Sequence, residues 1–104
     1  MVFIETPVFT KQVVEALTDE QYGLLQGSLV TRPDAGDLIR GSGGIRKLRW
    51  ALPGRGKRGG VRVIYFWRVS ESQILMLTMY AKNERTDLTA AQVKQLSRIV
   101  EDLK

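Results

Sequence analysis

Three stretches of alternating residues in the second half of the chain decide most of what it can fold into. From Ile45 to Ala51 the side chains sort into two sets, Arg46, Leu48 and Trp50 against Ile45, Lys47 and Arg49, which is the two-residue period of a strand. Val61 to Val69 is dense in β-branched and aromatic residues and sorts the same way, with Val61, Val63, Tyr65 and Trp67 opposite Arg62, Ile64, Phe66 and Arg68. After the turn Ser70-Glu71-Ser72 a third run follows, Gln73 to Tyr80. Connections this short join antiparallel neighbours. The expectation is a three-stranded antiparallel meander with Lys47, Arg49 and Arg62 on one face.

The first half reads as helical. Val2-Phe3-Ile4 is a short apolar run suited to a strand, and Thr6-Pro7 is an N-cap followed by proline at the first helical position. Val8, Phe9, Val13, Ala16 and Leu17 then recur at helical spacing. Thr18-Asp19-Glu20-Gln21 has the form of a capping box for a second helix, whose apolar face is Tyr22, Leu25 and Leu29 and which ends before Pro33. Arg40-Gly41-Ser42-Gly43-Gly44 reads as a flexible loop, and Pro53 to Gly60 as a mobile basic one. Near the end, Thr89-Ala90-Ala91-Gln92 is another capping box, and Val93, Leu96, Val100 and Leu103 form the stripe of a C-terminal helix. The class is therefore α+β: N-terminal strand, helical hairpin, meander, C-terminal helix. At 104 residues, one domain over 1–104 is expected.

Charge is segregated along this framework. Of the 16 basic residues, Arg40, Arg46, Lys47, Arg49, Arg55, Lys57, Arg58, Arg62 and Arg68 fall between Leu38 and Ser70, where none of the 11 acidic residues lies. A field of one sign attracts polyanions, so nucleic acid is the leading partner. A solvated basic face is the bland alternative. The chain has no Cys and no His, which leaves no thiolate or imidazole metal site, so metal-dependent chemistry would have to rest on carboxylates alone; no cofactor is expected. No apolar run is long enough for a membrane span, and no secretory pattern opens the chain. Cytoplasmic residence is expected.

Lys47 and Arg49 leave the same face of their strand, and Arg62 on the neighbouring strand joins them. Tyr80, Lys82, Glu84 and Arg85 border that group from the end of the last strand, and Arg55, Lys57 and Arg58 close over it from the loop. Such a set is able to hold a phosphodiester, stabilise a phosphorane and protonate a leaving oxygen without metal. Phe66, on the Arg62 face, is placed to stack on a base, whereas Tyr65 and Trp67 read as core. Arg46 and Arg68 add to the basic field.

Taken in order, these segments resemble the RelE/ParE toxin superfamily, and within it HigB-like toxins. The residues that carry the resemblance are Gly43-Gly44-Ile45-Arg46-Lys47-Leu48-Arg49, then Gly56-Lys57-Arg58-Gly59-Gly60-Val61-Arg62-Val63-Ile64-Tyr65, then Tyr80-Ala81-Lys82-Asn83-Glu84 with Asp87-Leu88. The resemblance implies the toxin of a type II toxin–antitoxin module, a ribosome-dependent endoribonuclease (mRNA interferase). It would cut messenger RNA in the ribosomal A site, make contacts to rRNA, and be silenced by a HigA-like antitoxin. It also implies catalytic roles for Lys47, Arg49, Arg62 and Lys82, with Tyr80 and Glu84 as further candidates. Arg46, Arg55, Lys57, Arg58, Arg68, Arg85 and Phe66 would contact RNA. Where RelE itself has an arginine and a late tyrosine, this chain has Asn83 and Leu88, so Tyr80, Arg85 or Arg58 is left to substitute. Two rival functions use the same fold: a ParE-like, non-enzymatic inhibitor of DNA gyrase, and a nucleic-acid-binding module without chemistry.

Overall fold

The computed structural model describes residues 1–52, 60–82 and 87–103. Its elements are β1 (Val2–Glu5), α1 (Pro7–Ala16), α2 (Asp19–Thr31), β2 (Asp37–Leu38), β3 (Ile45–Trp50), β4 (Val61–Arg68), a 3-10 turn (Val69–Glu71), β5 (Gln73–Ala81) and α3 (Ala90–Asp102). The strands form one mixed sheet in the order β1-β5-β4-β3-β2. The expected meander is its centre, antiparallel throughout. Two additions enlarge it. β1 pairs with β5 in parallel, and the two-residue β2 extends the sheet beyond β3. The helical hairpin between β1 and the meander carries the chain from one end of the sheet to the other, a crossover that an apolar tripeptide cannot announce.

All three helices start where the caps were read. The Thr6, Thr18 and Thr89 hydroxyls accept the backbone N–H groups of Phe9, Gln21 and Gln92, and the latter two form reciprocal capping boxes. Thr6 does a second job. Its hydroxyl donates to the Leu77 carbonyl at 2.7 Å, tying the start of α1 to an irregularity in β5. There the register on β4 steps from Ile64↔Thr78 to Tyr65↔Met76 and leaves Leu77 without a partner.

Residue alternation divides the apolar side chains between two cores. On one face α1 and α2 bury Phe9, Val13, Leu25 and Leu29 against Val61, Val63, Tyr65, Ile74 and Met76. The other face holds a smaller cluster, in which Val100 and Leu96 of α3 cover Ile45, Ile64, Phe66, Leu75, Leu77 and Tyr80. Val8, expected on the buried stripe of α1, is 57% exposed. It lies one step round the helix from Phe9 and misses the sheet.

Tyr65 has no exposed surface, yet its hydroxyl donates to the Pro33 carbonyl and accepts the Gly36 N–H, both at 2.8 Å. A Cβ on Gly36 would sit 2.9 Å from that ring, so the contact requires glycine. The loop before β3, expected to be flexible, is a built turn. Gly41, Gly43 and Gly44 take positive φ, and between them the buried Ser42 hydroxyl donates to Ile39 and accepts the Ile45 N–H. Ser97 of α3 donates to the Ser42 carbonyl, which pins the C-terminal helix over the second core.

Candidate active site

β3, β4 and β5 run side by side, and their pairing places Arg49 opposite Arg62 and Arg62 opposite Tyr80. Lys47 is opposite Ile64, one pair further along the same face. Directly paired positions bring Cβ atoms to about 5 Å, so the three cations expected to converge do occupy neighbouring positions. They belong to the α3 face, at the end of the strands that α3 leaves uncovered. Arg49 is exposed, whereas Lys47 and Arg62 are half-buried. Their surroundings are thus a hydrocarbon floor made by Ile64 and Tyr80 and an open side toward solvent.

Two guanidinium groups on directly opposed positions repel each other. Neither Arg49 nor Arg62 has an ion-pair partner among the described residues, where the pair between Lys47 and Asp87 stands alone. That contact is 3.3 Å long, and Asp87 Oδ1 also accepts the Leu88 N–H at 2.8 Å. The Leu88 N–H, and after it the Lys47 ammonium, hold the Asp87 carboxyl below its ordinary value. Asp87 was absent from the site residues expected from sequence. Forty positions separate it from Lys47, and the sequence marked it only through the Asp87-Leu88 pair of the resemblance, just before the Thr89 capping box.

The remaining candidates divide. Lys82 is exposed just beyond β5, with its backbone N–H on the Gly60 carbonyl, so it extends the cationic end. Tyr80 is only 7% exposed and belongs to the second core, which makes it the floor beside Arg62. Phe66 is not available for stacking on a base: it is 9% exposed, and Gly44 lies against its ring. Arg46 projects from the opposite face and donates to the carbonyls of Asp34 and Gly36; it anchors the loop after α2. Arg68 is bonded to Gln73, six positions along β4 from Arg62 and therefore about 20 Å away. Arg55, Lys57, Arg58, Glu84 and Arg85 lie outside the described residues. No cluster of carboxylates among the described residues is arranged to hold a metal ion, and none of their helices is long and apolar enough to cross a membrane.

Comparison with known proteins agrees with this architecture. A solved structure of E. coli toxin RelE, an arginine double mutant in the free state, superposes with a TM-score of 0.59 at 15% identity, over 95% of each chain. At that identity the likeness establishes the fold. The family is established by the chain's match, over residues 11–104, to the model described as the RelE toxin of the RelE/RelB toxin–antitoxin system. This chain belongs to the RelE toxin family.

Proposed function

We propose that the chain is a messenger-RNA endonuclease that acts on the ribosome, HigB-like in type and silenced by a HigA-like antitoxin. The observation that supports this most is the opposed pair Arg49 and Arg62 with Lys47 beside it, among which Lys47–Asp87 is the one ion pair between described residues. Like charges in register weaken a sheet, and a bound phosphodiester would relieve the repulsion.

RNA brings its own nucleophile. The ribose 2′-oxygen attacks the adjacent phosphorus as its proton departs. The bond from phosphorus to the 5′-oxygen breaks, and that oxygen takes up a proton. The products are a 2′,3′-cyclic phosphate and a 5′-hydroxyl. Between these states the phosphorane carries extra negative charge, which Arg49 and Arg62 stabilise by fixed charge, since arginine keeps its proton. Lys47 has a proton to give and supplies the leaving oxygen. Asp87, held below the ordinary carboxylate range, is a weak base, so it orients the Lys47 ammonium rather than accepting the 2′ proton. Glu84, taken from sequence, is the acceptor in this scheme. The basic loop with Arg55, Lys57 and Arg58 makes contacts to rRNA, and Arg85 and Lys82 contact the message.

The test is in vitro translation with purified protein, followed by primer extension on the message. New 5′ ends within translated codons are expected, and only when ribosomes are present. Ends that form equally on naked RNA would remove the ribosome from the reading. An intact message, together with gyrase poisoning that persists in a chain carrying Lys47→Glu and Arg62→Glu, would replace it with a gyrase inhibitor.

A further inference from the structure

β5 is longer than the strand beside it. β1 pairs with Gln73, Ile74, Leu75 and Met76 and then ends, so from Leu77 to Ala81 the sheet has β4 on one side and, among the described residues, no strand on the other. An open edge offers unpaired backbone groups to an incoming chain. Here the first of them are met by side chains: Thr6 reaches the Leu77 carbonyl, and Gln12 Oε1 accepts the Met79 N–H at 2.9 Å. The Lys82 N–H points the other way, to Gly60. By the alternation of the antiparallel ladder, Met79 and Ala81 both face outward along this edge.

A cleft of about 620 Å³ lies over the edge, and it straddles the plane of the sheet. Val8 of α1 lines one side and Ile99 of α3 the other; they are 57% and 41% exposed. Arg98 is the single charged side chain among the described lining residues, and no carboxylate is present. A strand added to a sheet sends alternate side chains to its two faces. Only an extended peptide laid along β5 would meet Val8 and Ile99 together with neighbouring side chains. RNA would find one cation here. A second copy would bring another Arg98 and another charge of +5, which repel.

We propose that this cleft is where the antitoxin docks. An extended, acidic and apolar segment takes the Met79 carbonyl and the Ala81 N–H of β5, leaves the Met79 N–H to Gln12, sets one apolar side chain against Val8 and the next against Ile99, and places a carboxylate on Arg98. This rests on the toxin reading above and goes beyond it by assigning a surface. Tyr80 and Leu88 also line the cleft, so the docked segment touches the register partner of Arg62 and the neighbour of Asp87.

The test is titration of the purified chain with its cognate antitoxin by calorimetry, with amide hydrogen exchange on the complex. Val8→Asp and Ile99→Asp are expected to weaken binding at least tenfold, Arg98→Glu severalfold, and Leu24→Asp on the exposed face of α2 not at all. The Ala81 amide should exchange at least tenfold more slowly in the complex. Arg98→Glu is a surface change and keeps the test alive if an aspartate variant fails to fold. Affinity that is unchanged by the three cleft variants, or exchange protection elsewhere, overturns the docking site while leaving the toxin reading intact. Failure of the unaltered chain to bind any antitoxin overturns both. If the cleft variants instead dissolve a dimer of the chain alone, the occupant is a second copy and the proposal is wrong.

Discussion

The two faces of the sheet are made by alternate residues of the same strands, yet they are built for different work. Under α1 and α2 the positions Val61, Val63 and Tyr65 are continuous core. On the α3 face, Ile64 and Phe66 are core while Arg62, two positions back, carries a charge with no ion-pair partner among the described residues. One helix covers what two cover opposite, and the uncovered end is where the cations lie. A face that spends part of its area on charge has less apolar surface to bury, and so less to hold its helix in place.

Four experiments would break or sharpen that contrast, from the largest expected effect to the smallest. Phe66→Ala should cost about 3–5 kcal/mol, read from chemical denaturation, because it empties the floor beneath α3; a loss below 1 kcal/mol would mean the second core contributes little. Arg62→Ala should lower message cleavage about a hundredfold and leave the denaturation midpoint unchanged or slightly higher, since a repulsion disappears with the charge. Equal losses of cleavage and of ribosome affinity would instead mark Arg62 as a binding contact. Ser97→Ala removes the hydrogen bond from α3 to Ser42 and should cost about 1 kcal/mol, seen first as faster amide exchange in α3. The fourth experiment concerns the opposite face. Burial, and then the hydrogen bond and charge of Glu5, push the Tyr22 phenol well above its ordinary value. With the folded value raised, its contribution is present below about pH 10, the unfolded tyrosine value, and is lost as pH rises beyond it. Tyr22→Phe should therefore flatten the fall in melting temperature between about pH 10 and 11.

Much of this molecule was legible before folding. The caps at Thr6, Thr18 and Thr89 are local chemistry, decided within four residues. The division of β3 and β4 into faces follows from the strand period alone, so Lys47, Arg49 and Arg62 were grouped correctly. Errors arose where a side chain's fate depends on a distant neighbour. Phe66 shares the face of Arg62, but α3 and Gly44 lie over it. Arg46 looked like one more cation until the carbonyls of Asp34 and Gly36 arrived from the loop after α2. Glycines at 41, 43 and 44 suggested freedom, whereas their positive φ serves a turn locked by Ser42.

By itself the amino-acid order determined periodicity, capping and the sign of the charge along the chain, because each is set by residues within a turn or a strand pair of one another. Tertiary structure alone decided that β1 lies parallel to β5, that β5 outruns it and leaves an edge, that α3 covers only part of its face, and that Asp87 meets Lys47. Those are contacts between segments distant in the chain, 40 positions for Lys47 and Asp87, and no local preference encodes which of several equally apolar surfaces will be the one that closes.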